Sequence, residues 1–207
     1  MSTPKISVYI TSYNQKQYLK EAIESVIIQT LSPFEIIVID DHSMDGSQKL
    51  ISEYADRYPN LIKTIFNPAN IGVTRSRNKA LRNVSGDYVT YLDGDDLFIP
   101  TKLEYEFEHL MSSHDASFVF SRYAYIDSED ELLGIWGSDL KHLDEDLFFR
   151  TFARDLPDRN LFRNELVEYQ AWKRIGFYDP SFPIYEDWEM RIRLTKHLYG
   201  VYCPLVG

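Results

Sequence analysis

The sequence predicts an α/β fold, a Rossmann-like and mostly parallel central sheet with helices on both faces, followed by a mixed, loop-rich half. Three observations carry this. Short β-branched runs alternate with segments of helical spacing through residue 115. Residues 34–39 and 88–92 are nearly all apolar, as in strands covered on both faces. Polar, Asp-rich stretches follow the strands directly, where open parallel sheets bind their ligands. At 207 residues, 44% apolar and 14% aromatic, the chain can bury a full core and is read as one domain, with halves 1–115 and 116–207.

In chain order, Ile6 to Ile10 is a β-branched strand, and Gln17 to Gln29 sets Leu19, Ala22, Ile23, Val26 and Ile27 at helical spacing. Phe34 to Ile39 forms the second strand, ending in Asp40-Asp41, and Ser47 to Tyr58 the second helix. A third strand over Leu61 to Phe66 runs into the turn-rich Asn67 to Gly72, and a helix follows from Val73 to Asn83, broken by Ser85-Gly86. Tyr88 to Leu92 delivers Asp93-Gly94-Asp95-Asp96, and Pro100 is expected in the first turn of a helix reaching Ser112. Right-handed crossovers with strand order 3-2-1-4 make the first and fourth strands neighbours, bringing Tyr13 close to Asp95. Beyond residue 115 the pattern predicts strands over Ala116 to Ile126 and Leu132 to Trp136. Helices are expected over Leu143 to Ala153, Glu165 to Arg174 and Glu186 to about His197. Residues 201–207 end in an apolar, strand-like stretch without a polar tail, the pattern of a C-terminally truncated chain.

Composition excludes several functions. A net charge of −10 with no Lys or Arg block argues against a nucleic-acid partner. The lone Cys203 can form neither an internal disulfide nor a zinc site, and fits a buried thiol in a reducing compartment. No signal-peptide core follows Met1, and every apolar run is far shorter than the roughly 20 residues that span a bilayer. The expected location is the cytoplasm, including the cytoplasmic face of a membrane for a longer protein.

The chemistry is concentrated at Asp93, Asp95 and Asp96. Adjacent carboxylates raise one another's pKa unless a cation neutralises them, and oxygen-only ligands favour Mg²⁺ or Mn²⁺ completed by substrate phosphate. Tyr13 could lie against a nucleobase and Asp41 accept a base or ribose donor. Arg75, Arg77 and Lys79 follow the third strand, where they could meet a diphosphate, although a solvated basic helix face would show the same pattern.

The residues resemble the inverting nucleotide-diphospho-sugar glycosyltransferases of family 2, which have the GT-A fold. Residues 6–14 look like the family's opening strand and loop, with Thr11-Ser12 where many members carry a small residue and Pro. Asp40-Asp41-His42-Ser43-Met44-Asp45-Gly46, Asn70-Ile71-Gly72 with Arg77-Asn78, and Gly86 through Asp96 follow in the family's order. The resemblance implies that Thr11, Tyr13 and Asp41 hold the base of a UDP-linked donor, with Arg77 near the nucleotide. It makes Asp95 the principal metal ligand, Asp93 a ligand of metal or ribose, and Asp96 a structural residue. Glu186-Asp187-Trp188 resembles the family's Glu-Asp motif, so that Asp187 is the base that activates the acceptor hydroxyl, with Glu186 and Trp188 on the acceptor side.

The implied enzyme is a metal-dependent hexosyl- or N-acetylhexosaminyl-transferase. It would act on a carbohydrate or other hydroxyl acceptor in glycan or cell-surface polysaccharide synthesis. Spacing alone favours reading Asp187 as a helix-start acid paired with Arg191 at i,i+4, and it is the upstream Arg174 to Asp179, similar to the family's acceptor-side segment, that turns the reading to a base. Two rivals stand beside this reading: a non-catalytic nucleotide-sugar or glycan-binding module, and a sugar nucleotidyltransferase, which would want Gly in the loop 11–16. A dinucleotide oxidoreductase is weaker still, since no G-x-G-x-x-G follows Ile10.

Overall fold

A computed structural model describes residues 3–138, 140, 146–182 and 184–207. The first half alternates as expected: β1 (Ile6–Ser12), α1 (Lys16–Ile27), β2 (Glu35–Asp40), α2 (Ser47–Arg57), β3 (Ile62–Phe66), α3 (Val73–Arg82), β4 (Tyr88–Asp93) and α4 (Lys102–Ser112). Strands β3, β2, β1 and β4 lie side by side in that order, all parallel. Alternation along the strands sends Ile6, Val8, Ile10, Ile36 and Val38 to the layer formed by α1, α2 and α4. Tyr9, Ile37, Ile39, Val89 and Tyr91 face the layer that includes α3. Covering both faces is what makes the central strands β1, β2 and β4 largely apolar, whereas β3 at the sheet edge keeps Lys63 exposed.

The second half holds β5 (Phe118–Ile126), β6 (Leu132–Trp136), α5 (Leu147–Ala153), β7 (Leu166–Glu168), α6 (Tyr169–Ile175), α7 (Glu186–His197) and β8 (Gly200–Val206). The helix expected over Glu165 to Arg174 is instead a short strand followed by a helix. Its strand, β7, with Leu166 and Val167 fully buried, is wedged between β4 and β5 and pairs antiparallel with each. A three-residue insertion like this leaves too little alternation to be read from sequence. Pro100 also lies outside its helix, two residues before Lys102, with its carbonyl accepting from the Thr30 amide at 2.8 Å. The start of the helix expected over Leu143 to Ala153 falls outside the described residues, and its described part begins at Leu147. β8 runs parallel to β5, and Cys203 within it is buried, which pushes its thiol pKa up.

The two edges of the parallel sheet are built differently. At the N-terminal edge Glu35, nearly inaccessible, takes hydrogen bonds from Ser7 Oγ (2.6 Å), Ser85 N and Oγ (2.7 Å each) and Lys63 Nζ (2.5 Å). Gly86 completes this edge, because a Cβ there would sit 2.5 Å from the Lys5 carbonyl. The C-terminal edge is left open for a ligand.

Candidate active site

Strand register decides which side chains meet at that open edge. Thr11 is opposite Asp93 across β1 and β4, and Ser12 is opposite Asp40 across β1 and β2. Just beyond, the chain from β4 must turn against β1. The Gly94 amide donates to the Thr11 carbonyl at 2.8 Å, and a Cβ on Gly94 would come within 2.9 Å of that same oxygen. The glycine between the aspartates is therefore needed for close approach.

The edge opens into a cleft of about 460 Å³, lined among others by Thr11, Tyr13, Asp41, Arg77, Asp93, Asp95 and Glu186. Tyr13 and Asp95 do share it. Tyr13 is half exposed on its rim, a flat apolar face available to a planar ring. Asp41 is buried, and its carboxylate is already organising the next loop: Oδ1 accepts from Asn67 Nδ2 and Ile71 N, both at 2.9 Å, and Oδ2 from Gly72 N at 2.8 Å. Gly72 can present that amide because it sits at φ 86, where a side chain would be strained.

Arg77 is the junction of the site. Its Nη2 lies 2.9 and 3.0 Å from the two oxygens of Asp93, and its Nη1 lies 3.4 Å from Glu186 Oε1. Tyr91 and Tyr178 flank the guanidinium, with ring centres at 5.2 and 5.5 Å. Burial pushes the Asp93 carboxyl up, but Arg77 and the Thr11 hydroxyl, 2.8 Å away, outweigh it and hold the group below its usual range. Asp96 goes the other way: burial and the charge of Asp93, only partly relieved by Arg163, push it up to about 6. Of the other two cations, Arg75 bonds the Ile71 carbonyl and Lys79 bonds Asn67, and neither lines the cleft.

The described lining thus carries four carboxylates, Asp41, Asp93, Asp95 and Glu186, against the single guanidinium of Arg77. Among the described residues no three acidic, His or Cys side chains are grouped to hold a metal by themselves. The lining carboxylates suit a hard divalent cation that takes one or two of them and completes its shell with water and ligand phosphate.

On the far wall the structure separates two neighbours. Glu186 faces the cleft and pairs with Arg77, whereas Asp187 is outside the cleft lining, with a side chain 43% exposed. Asp187 Oδ2 lies 3.3 Å from Arg191 Nη1. Trp188 donates its indole N–H to the Thr151 carbonyl at 2.8 Å, pinning α7 to α5, while Trp136 and Trp172 are fully buried packing residues. Sequence reasoning missed Gln15 and Ser76 in the cleft lining, Asn67 beside Asp41, and Glu165 and Tyr91 behind Arg191. Gln15 and Asn67 follow strands and Tyr91 lies within one, whereas Ser76 inside α3 and Glu165 ahead of β7 carry no such signal.

The fold is that of the GT-A glycosyltransferases. S. aureus TarS 1-349 in complex with UDP-GlcNAc superposes with a TM-score of 0.75 at 18% identity, covering 98% of this chain and 57% of that one. The mannosyltransferase PcManGT of Pyrobaculum calidifontis, in complex with GDP-Man and Mn²⁺, superposes at 0.72 with 15% identity, covering 100% of this chain and 56% of that one. Residues 7–170 match the model described as Glycosyl transferase family 2, and the chain belongs to that family. An uncharacterized glycosyltransferase of Methanocaldococcus jannaschii is 30% identical over 214 residues, spanning 95% of this chain and 73% of the relative. No helix among the described residues is long and apolar enough to cross a membrane.

Proposed function

We propose that this chain is the catalytic part of an inverting glycosyltransferase. It would move a hexosyl or N-acetylhexosaminyl group from a UDP-linked donor to a hydroxyl acceptor in glycan or cell-surface polysaccharide assembly. The observation that carries the reading is the cleft itself, which collects Thr11, Tyr13, Asp41, Arg77, Asp93 and Asp95 from the ends of three parallel strands and the helix after a fourth, opposite Glu186. UDP-GlcNAc and GDP-Man with Mn²⁺ in the two superposed structures support a nucleotide-sugar donor and a divalent cation.

Tyr13 stacks on the base and Asp41 fixes the loop against which it lies. Arg77 orients Asp93 toward the ribose or the metal, and Asp95 is the principal metal ligand. A bound Mn²⁺ or Mg²⁺ supplies neutralisation of the departing diphosphate. Asp187, steadied by Arg191, takes the proton as the acceptor oxygen bonds to the donor's anomeric carbon and the bond from that carbon to the diphosphate breaks. Inversion follows from this single in-line displacement.

The charge of the lining makes a sharp test. Four carboxylates repel a diphosphate, so calorimetry should detect UDP only when Mn²⁺ is present, and Asp95→Ala should weaken that binding roughly 10-fold or more. UDP binding equally well with chelator, or to the Ala variant, removes the metal assignment.

A further inference from the structure

Beside the start of α7 stands a cation with no counter-ion among the described residues. Arg154 closes α5 with φ 54, and its guanidinium lies 5.3 Å from the ring centre of Trp188 and 5.9 Å from that of Tyr185. The two rings meet edge to face at 6.0 Å. Arg77, Arg191 and Arg193 each face a carboxylate, whereas Arg154 makes no ion pair among the described residues and its Nε is buried without a partner.

The cage is built at a cost. Arg154 and Tyr185 (φ 67) both occupy the left-handed region, which residues with side chains enter unfavourably and which Gly or Asn would fill more cheaply. A cation at the end of α5 gains from the helix dipole, but that gain requires no aromatic partner. Trp188 is itself fixed by its bond to Thr151 on α5, so the indole is held beside the end of the helix that Arg154 closes. In sequence the cluster brackets the reacting wall, with Tyr185 before Glu186 and Trp188 after Asp187.

We propose that Arg154, backed by Tyr185 and Trp188, binds an anionic group, phosphate or carboxylate, carried by the acceptor near its reacting hydroxyl. The word acceptor rests on the glycosyltransferase reading above. A guanidinium pairs with either anion through two parallel N–H donors, and the ring faces suit the sugar or carbon frame attached to it. A neutral acceptor would offer this guanidinium no anion.

The test is a set of calorimetric titrations of the whole protein saturated with UDP and Mg²⁺, which keeps anions off the donor cleft. The ligands are glucose, glucose 6-phosphate, glucuronate and inorganic phosphate. Charged ligands should bind roughly 10-fold or more tighter than glucose, and the balance between phosphate and carboxylate arms identifies the anion. Arg154→Gln should abolish that margin and Arg154→Lys retain part of it, with melting temperature and UDP affinity unchanged. Equal binding of charged and neutral sugars, no detectable binding of any charged ligand, or a margin that survives Arg154→Gln overturns the proposal. If UDP fails to bind, the donor reading falls separately, and the same titrations on the free protein still read Arg154.

Discussion

Arg77 and Asp187 show how differently two charged residues of one site can be held. Arg77 is buried between two tyrosines and shared by Asp93 and Glu186, so it stiffens the cleft. Asp187 is half exposed and, among the described residues, pairs with Arg191 alone; in the proposed mechanism it is the group that meets the acceptor hydroxyl. Asp187→Asn should therefore cut turnover about 10² to 10⁴-fold, the usual worth of a general base, while UDP affinity stays at the wild-type value. Steady-state kinetics beside UDP titration checks this, and Glu186→Gln is the necessary comparison because Glu186 is the acid that lines the cleft. A large loss in the Glu186 variant with near-normal turnover in the Asp187 variant would transfer the role of base. At this scale the sequence was informative about which residues gather at the edge, because strand ends and Asp-rich turns are local features. It was uninformative about pairing: that Arg77 would be taken up by Asp93 and Glu186, and Asp41 by Asn67 and two amides, depends on contacts over tens of residues.

Among the elements, β1, β2 and β4 were legible because each is a largely apolar run followed, directly or after a short loop, by a helix that buries one face. β7 was not, since its three residues take their conformation from β4 and β5 on either side. The N-terminal edge of the same sheet offers a pH test. Burial pushes the Glu35 carboxyl up, but Lys63, Ser7 and Ser85 more than offset it and the folded-state pKa lies below the usual value. A depressed carboxyl binds its proton more weakly folded than unfolded, so its stabilisation is fully present above the unfolded pKa of about 4.3. It is lost as pH falls through the folded value. Urea unfolding should show Glu35→Gln destabilised by about 1–3 kcal/mol at neutral pH, with the two curves converging in acid. A gap that stays constant down to about pH 3 would mean that shape, not charge, is what the edge requires.

Across the whole molecule, one buried guanidinium in the second half, Arg191, reaches Tyr91 in the first. Arg191 and Glu165 have side chains only 2% and 1% exposed and lie 3.3 Å apart. The same guanidinium donates to Tyr91 Oη at 2.6 Å, reaches Asp187, and lies 5.4 Å from the ring centre of Phe162. One side chain thus ties the strand that carries Asp93 to the helix that carries Asp187. Desolvating the pair costs several kcal/mol, and removing one partner leaves the other charged and unpaired in the core. Arg191→Met should accordingly lower stability by about 3–5 kcal/mol, read as a lower urea midpoint, while the pair Arg191→Met and Glu165→Leu should lose much less. If the double variant is as unstable as the single, the penalty comes from lost volume and not from Glu165. The regained stability should not restore activity: with no guanidinium behind Asp187, turnover in the double variant should stay low while UDP affinity remains normal. That separation is expected only if Arg191 positions Asp187 as well as holding the halves together.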